Sequence, residues 1–131
     1  MKIDHIGIAV KDLNSTQKIF ETIFNTKASK VEIVESEKIK TVFLKAGESK
    51  IELLEDLNKK GVINNFIEKR GQGIHHLAIE VKDIKKELKR LKVKGFSTIN
   101  STPSKGAHGK LISFLHPKET GGVLIEICQK K

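Results

Sequence analysis

Apolar and polar positions alternate along two similar stretches of the chain, residues 4–13 and residues 75–84, which read DHIGIAVKDL and HHLAIEVKDI. A two-residue period of apolar positions predicts a β-strand with one buried face. After each stretch, apolar residues recur at helical spacing, and Asp12 and Asp83 stand where a helix N-cap is expected. The residues that predict the helices are Ile19, Phe20, Ile23 and Phe24 in the first copy and Ile84, Leu88 and Leu91 in the second.

Three strand-like runs follow each predicted helix. They are KVEIVE, KIKTVFLKA and SKIELLE in the first copy and STIN, KLISFLH and GVLIEIC in the second. The pattern predicts a repeated βαβββ unit and an α+β fold in a single domain of residues 1–131. We place module one at about residues 1–57, a connecting segment with a short helix (VINNFIEKRG) at about 58–72, and module two at about 73–131.

The two-residue period also predicts which side chains share a face of the strands. Ile6, Ile8 and Val10 would pack on the helices, so that His5 points the other way. The same rule separates His75 from His76 and places His76 with His5. Four polar side chains are therefore expected on the face away from the helices: His5, Glu52, His76 and Glu126.

A single histidine or glutamate in a strand is more often structural than functional. Two imidazoles and two carboxylates at repeated positions, however, suit a divalent metal with mixed nitrogen and oxygen ligands and positions left for water or substrate. Spacing alone leaves the structural and the metal-binding interpretations equally open. His75 is left out of the set, and we expect it to be a hydrogen-bonded histidine near the helix layer.

Composition narrows the class of protein. A hydrophobic fraction of 37% with 31% charged residues is typical of a globular chain, no apolar run could span a bilayer, and the single cysteine, Cys128, excludes an internal disulfide. These features predict a cytoplasmic protein without a membrane segment. The net charge of +9 comes from lysines scattered over the sequence, and we expect most of them to be solvated surface residues. An anionic small ligand for a few of them is the second interpretation, and nucleic acid is the third, because tryptophan and tyrosine are absent.

Three stretches carry a resemblance to a known family. IDHIGIAVKDL (3–13), SKIELLE (49–55) with GIHHLAIEV (73–81), and GAHGKLISFLHPKETGGVLIEI (106–127) are similar to the methylmalonyl-CoA epimerases. These belong to the vicinal-oxygen-chelate superfamily, which also contains glyoxalases, bleomycin resistance proteins and dioxygenases. The resemblance implies two βαβββ modules that form a curved, half-open, barrel-like mixed sheet with the helices outside. It runs essentially end to end and is weakest at residues 26–42.

The resemblance also implies a function. The metal ligands would be His5, Glu52, His76 and Glu126, holding cobalt, manganese, zinc or nickel. The reaction would interconvert the R and S forms of methylmalonyl-CoA at C2, by removing and returning a proton through a metal-stabilised enolate, with Glu126 as one catalytic base. The second base stays unassigned, because Thr41 stands where some relatives have glutamate and a threonine is not a credible base at neutral pH.

Further expectations follow from the same resemblance. The substrate would be an acyl-CoA, and the protein would be a homodimer. A loop of small and basic residues could hold the substrate through Lys105, His108 or Lys110, although ordinary solvation explains these side chains equally well. Two alternatives remain open: a glyoxalase I-type lactoylglutathione lyase, which uses the same ligand pattern, and a non-catalytic ligand-binding module of the same fold.

Overall fold

The computed structural model describes residues 1–131. Hydrogen bonds join eight strands into one mixed sheet in the order β2-β3-β4-β1-β5-β8-β7-β6. The elements are β1 Lys2–Ala9, α1 Leu13–Phe24, β2 Glu32–Val34, β3 Ile39–Ala46, β4 Ser49–Asp56, α2 Val62–Arg70, β5 Gly73–Glu80, α3 Ile84–Val93, β6 Ser104–Lys105, β7 Leu111–Phe114 and β8 Ile125–Gln129. No helix is long and apolar enough to cross a membrane.

One compact unit comprises residues 5–75. Within it β1 pairs parallel with β4, while β2, β3 and β4 form an antiparallel meander. Alternate residues of these strands pack against α1, as the two-residue period predicts. The buried core of this unit consists of Val10, Leu13, Val42, Leu44 and Leu53, with Ile8 and Phe20 packed against it.

The other compact unit comprises residues 1–4 together with residues 76–131. Here β5 pairs parallel with β8, and β8, β7 and β6 pair antiparallel. The unit therefore repeats the strand pattern of residues 5–75, with an edge strand, β6, of two residues where β2 has three. Its main core consists of Val81, Ile84, Leu115 and Ile127, against which Leu88 and Leu91 of α3 pack.

The two repeated helices begin in matching ways. The backbone N–H of Leu13 donates to Glu55 Oε1 at 2.7 Å, and the N–H of Ile84 donates to Gln129 Oε1 at 2.7 Å. Asp83 accepts from the N–H of Lys86 as a side-chain cap, which confirms its predicted role. Asp12 occupies the N-cap position of α1, but its side chain makes no capping hydrogen bond, and Glu55 supplies the acceptor from the neighbouring strand instead.

The run STIN (97–100), which we predicted to be a strand, is not one. Only an isolated bridge between Thr98 and Leu115 forms there. One side chain of this run binds the backbone locally: the Thr98 hydroxyl donates to the carbonyl of Asn100 at 2.6 Å. Such short-range hydrogen bonds offer the backbone an alternative to a strand ladder, and the edge strand forms later, at Ser104–Lys105.

Candidate metal centre

The first histidine–glutamate pair lies on adjacent parallel strands. His5 on β1 and Glu52 on β4 are both buried, and His5 Nε2 lies 3.2 Å from Glu52 Oε1. The ring of Phe43 packs edge-on against His5, with centroids 5.6 Å apart and an angle of 86° between the planes. This packing restricts the ring of His5, so that Nε2 stays directed at the carboxylate.

Thr41 holds the other oxygen of the same carboxylate. This residue is fully buried on β3, and its hydroxyl lies 2.9 Å from Glu52 Oε2 and 2.9 Å from the carbonyl of Leu53. A hydroxyl has one proton to donate, and a carboxylate is a stronger acceptor than a neutral carbonyl. Thr41 is therefore a hydrogen-bond partner of Glu52.

The second pair repeats the first. His76 on β5 and Glu126 on β8 are both buried, and His76 Nε2 lies 3.6 Å from Glu126 Oε1. The ring of Phe114 packs edge-on against His76, with centroids 5.7 Å apart and planes at 90°. Each half of the repeated sequence thus supplies one imidazole, one carboxylate and one aromatic ring that restrains the imidazole.

Sequence analysis missed the two phenylalanines, although a signal was present. In the strand registers Phe43 stands opposite Glu52, and Phe114 stands opposite Glu126. The runs VFL (42–44) and SFL (113–115) mark these matching positions in the two copies. Aligning the third strand of each module, as was done for the first, would have identified both rings as neighbours of the predicted ligands.

The four predicted ligands form two pairs, each inside one compact unit. His5 and Glu52 lie within residues 5–75, and His76 and Glu126 lie within residues 76–131; all four side chains are buried. The donor set fits a divalent cation, since buried carboxylates beside imidazoles need a compensating charge and mixed nitrogen and oxygen ligands are common for such ions.

His75 lies apart from these ligands, as we expected from the strand alternation. Its ring packs edge-on against Phe66 of α2, with centroids 4.9 Å apart and planes at 82°. The residue is half-buried beside α2, and the hydrogen bond expected for it stays a prediction. Two adjacent histidines of β5 therefore have different functions, one beside a carboxylate and one beside a helix.

Two neighbours of the second pair are also buried. Cys128 is completely buried, and its burial, together with the negative charges of Asp4 and Glu126, raises the pKa of the thiol to about 12. Lys110, which we considered as a solvated or substrate-holding lysine, is buried, and its Nζ lies 2.6 Å from Asp4 Oδ2. His108 of the same loop is exposed and has a left-handed backbone with φ of 58°.

Comparison with known proteins places the chain in a family. Residues 4–114 match the family model of the Glyoxalase/Bleomycin resistance protein/Dioxygenase superfamily. The mitochondrial methylmalonyl-CoA epimerase of Dictyostelium discoideum is 37% identical over 130 residues, which cover 98% of this chain and 78% of that protein. The family model and this relative each match most of the chain, and they confirm the fold class predicted from the repeated βαβββ pattern.

Solved structures agree with this assignment. The methylmalonyl-CoA epimerase of Mycobacterium tuberculosis matches with a TM-score of 0.94 and 33% identity, covering 98% of this chain and 87% of that one. A variant of the Streptomyces coelicolor methylmalonyl-CoA epimerase, solved in complex with 2-nitronate-propionyl-CoA, matches with a TM-score of 0.94 and 30% identity, covering 99% and 94%. The chain therefore belongs to the glyoxalase/bleomycin resistance protein/dioxygenase superfamily and, within it, to the family of the methylmalonyl-CoA epimerases.

Proposed function

We propose that this protein is a metal-dependent epimerase that interconverts the R and S forms of methylmalonyl-CoA at C2. The observation that carries the proposal is the duplicated histidine–glutamate pair, with Nε2–Oε1 distances of 3.2 Å for His5 and Glu52 and 3.6 Å for His76 and Glu126. Relatives named methylmalonyl-CoA epimerase cover the whole chain, and a structure of one of them holds an acyl-CoA analogue. These relatives support the choice of substrate.

The four ligands proposed for the cation are His5, Glu52, His76 and Glu126. All four side chains are buried in the protein. When bound, the cation would supply positive charge that stabilises the negative charge developing on the thioester oxygen as C2 loses its proton. The side chains of the protein would hold the acyl group so that C2 stays within reach of the base.

Glu126 is the proposed catalytic base. The C2–H bond breaks, its electron pair moves into the carbonyl group of the thioester to give an enolate, and the proton goes to a Glu126 oxygen. Returning a proton to the opposite side of C2 inverts the centre, and this step needs a second donor. A threonine such as Thr41 is not a credible base at neutral pH, and the second group is left unassigned.

The proposal is tested by hydrogen exchange at C2. In deuterated water the wild-type protein with Co(II) or Mn(II) should exchange the C2 proton of methylmalonyl-CoA, as NMR or mass spectrometry would detect. Glu126→Gln should slow this exchange by about 100-fold or more, because positioned acid–base groups contribute about that factor, while metal content is retained. Glu87→Gln, which removes a carboxylate from α3 that pairs with Arg90, is the matched control and should exchange as the wild type does.

Three outcomes would count against the proposal. Exchange that survives in Glu126→Gln would remove the residue from the role of base. Rapid turnover of the methylglyoxal–glutathione adduct, with no exchange at C2 of methylmalonyl-CoA, would establish the lactoylglutathione lyase alternative. Equal ligand binding by the apo and the metal-loaded protein, with no turnover, would establish the non-catalytic binding module.

The proposed cofactor is one divalent ion per chain, drawn from cobalt, manganese, zinc and nickel. The affinity of nitrogen and oxygen sites for divalent metals follows the same general order in most proteins. Affinity alone therefore does not select the ion, and the supply of each metal in the cell decides which one is bound. A homodimer is proposed for the assembly, in line with the expectation from sequence. Metal analysis of the purified protein and light scattering during gel filtration would test the two statements.

A further inference from the structure

From the contacts of Thr41 we infer that this residue is a positioning residue for the metal centre, and that it restricts Glu52 to binding the cation through one oxygen, Oε1. The inference rests on the metal-dependent function proposed above and extends it. It assigns a role to the position at which some relatives have a catalytic glutamate and for which sequence analysis found none.

The geometry divides the Glu52 carboxylate between two partners. Oε2 lies 2.9 Å from the Thr41 hydroxyl, and Oε1 lies 3.2 Å from His5 Nε2. Thr41 stands opposite Leu54 in the register of β3 and β4, two residues from the partner of Phe43, so that it reaches Glu52 diagonally across the sheet. The hydroxyl takes up one lone pair of Oε2 and fixes the plane of the carboxylate, so that Oε1, on the side of His5, is the oxygen favoured for the proposed metal.

Burial makes this contact strong. Thr41 is completely buried and Glu52 is almost completely buried, with 4% of its surface exposed. A hydrogen bond to a charged oxygen away from water is stronger than one at the surface, and removing its donor leaves the carboxylate with a desolvation cost. Residues that hydrogen-bond a metal ligand without touching the metal fix the orientation of that ligand. Loss of such a hydrogen bond commonly weakens metal binding by about 10- to 100-fold.

The matching position in the second half of the chain holds a different kind of side chain. Phe43 and Phe114 stand opposite Glu52 and Glu126, and the residue two positions before Phe114 is Ile112, where Phe43 has Thr41. Isoleucine has no side-chain donor, and Ile112 packs in an apolar cluster with Ala78 and Cys128. The two matching positions therefore differ in chemistry, with a hydroxyl group at position 41 and an aliphatic side chain at position 112.

The test measures metal binding in the absence of substrate. Apo protein is titrated calorimetrically with Mn(II), and Co(II)-loaded protein is examined for its d–d absorption bands, which report coordination. Thr41→Val keeps the shape of the side chain and removes the donor, and we expect it to raise the Kd by about 10- to 100-fold and to change the Co(II) bands. Thr41→Ser keeps the hydroxyl and should stay close to the wild-type Kd, and Ile112→Val is the matched control in the second half.

A double-mutant cycle protects the test against a folding defect. If Thr41 acts through the Glu52 carboxylate, Thr41→Val should change the Kd far less in a Glu52→Gln background than in the wild type. Should Thr41→Val not fold, as shown by circular dichroism, Thr41→Ala replaces it in the same cycle. The inference is overturned if a folded variant without the hydroxyl binds Mn(II) as tightly as the wild type. A wild-type protein that takes up no metal would overturn the proposed metal centre itself, which is a different result.

Discussion

Lys110 and Asp4, which are 106 positions apart in the sequence, form a buried ion pair with an Nζ–Oδ2 distance of 2.6 Å. The side chains retain only 7% and 2% of their exposure, respectively. An ammonium group and a carboxylate removed from water in this way depend on each other, because either charge alone would lack compensation in the interior. The pair fastens the loop that precedes β7 to the beginning of β1.

Removing one member of this pair should destabilise the protein strongly. We expect Lys110→Met or Asp4→Asn to lower the free energy of unfolding by about 3–5 kcal/mol, since one buried charge is left without its partner. The double variant should lose much less than the sum of the two single losses. Urea unfolding followed by circular dichroism measures all three values, and strictly additive losses would contradict a direct coupling.

Gly61 is required by the close approach of Asp56. A Cβ atom at position 61 would lie 2.5 Å from Asp56 Oδ1, and Asp56 Oδ2 accepts from the backbone N–H of Asn64 at the start of α2. Gly61→Ala should therefore cost about 1–3 kcal/mol through overpacking, as thermal or urea unfolding would show. In an Asp56→Ala background the same substitution should cost little, and an equal cost there would rule out this cause.

Glu119 makes stability depend on acid pH. Its Oε1 accepts from the Ser97 hydroxyl at 2.7 Å and from the Ser97 N–H at 2.9 Å, and these hydrogen bonds lower the pKa of the carboxyl below its usual value of 4.5. A lowered folded-state pKa gives a contribution that is present above pH 4.5 and is lost as the pH falls through the folded value. The difference in urea midpoint between wild type and Glu119→Ala should therefore be present at neutral pH and shrink as the pH falls below 4.5. A constant difference would contradict this interpretation.

Cys128 should be chemically inert in the folded protein. The thiol is completely buried, and its pKa of about 12 leaves almost no thiolate at neutral pH. We expect an aromatic disulfide reagent to modify it far more slowly in the native protein than in guanidinium chloride, where the same thiol reacts freely. A native rate equal to the unfolded rate would place the thiol at the surface.

Much of the fold followed from periodicity alone. The alternation in residues 4–13 and 75–84 predicted β1 and β5, and the helical spacing after them predicted α1 and α3, because burial of one face imposes the same period on sequence and structure. The helix expected within VINNFIEKRG is present at Val62–Arg70. The prediction of a strand at STIN (97–100) was wrong, because the Thr98 hydroxyl binds the backbone locally and Ser97 binds Glu119, contacts that hydrophobic periodicity does not register.

The candidate site could be predicted only in part. Repetition identified two histidine–glutamate pairs, and the structure places His5 beside Glu52 and His76 beside Glu126. Their sharing of one metal ion stays a prediction. The bond from Thr41 to Glu52 could not be predicted, because it depends on the register of β3 against β4, and a shift of one residue would turn Thr41 to the other face. The ion pair of Lys110 with Asp4 could not be predicted either, since nothing in the sequence links two positions at opposite ends of the chain.

Residues 1–4 share a compact unit with residues 76–131, so the spatial division of the chain differs from the division of its repeat. A polypeptide of residues 73–131 alone would lack Asp4, and Lys110 would lose the carboxylate that lies 2.6 Å from its ammonium group. Supplying a short peptide with the sequence MKID would offer it a carboxylate again. The first four residues of module one therefore complete the compact unit that module two forms, through the contact of Asp4 with Lys110.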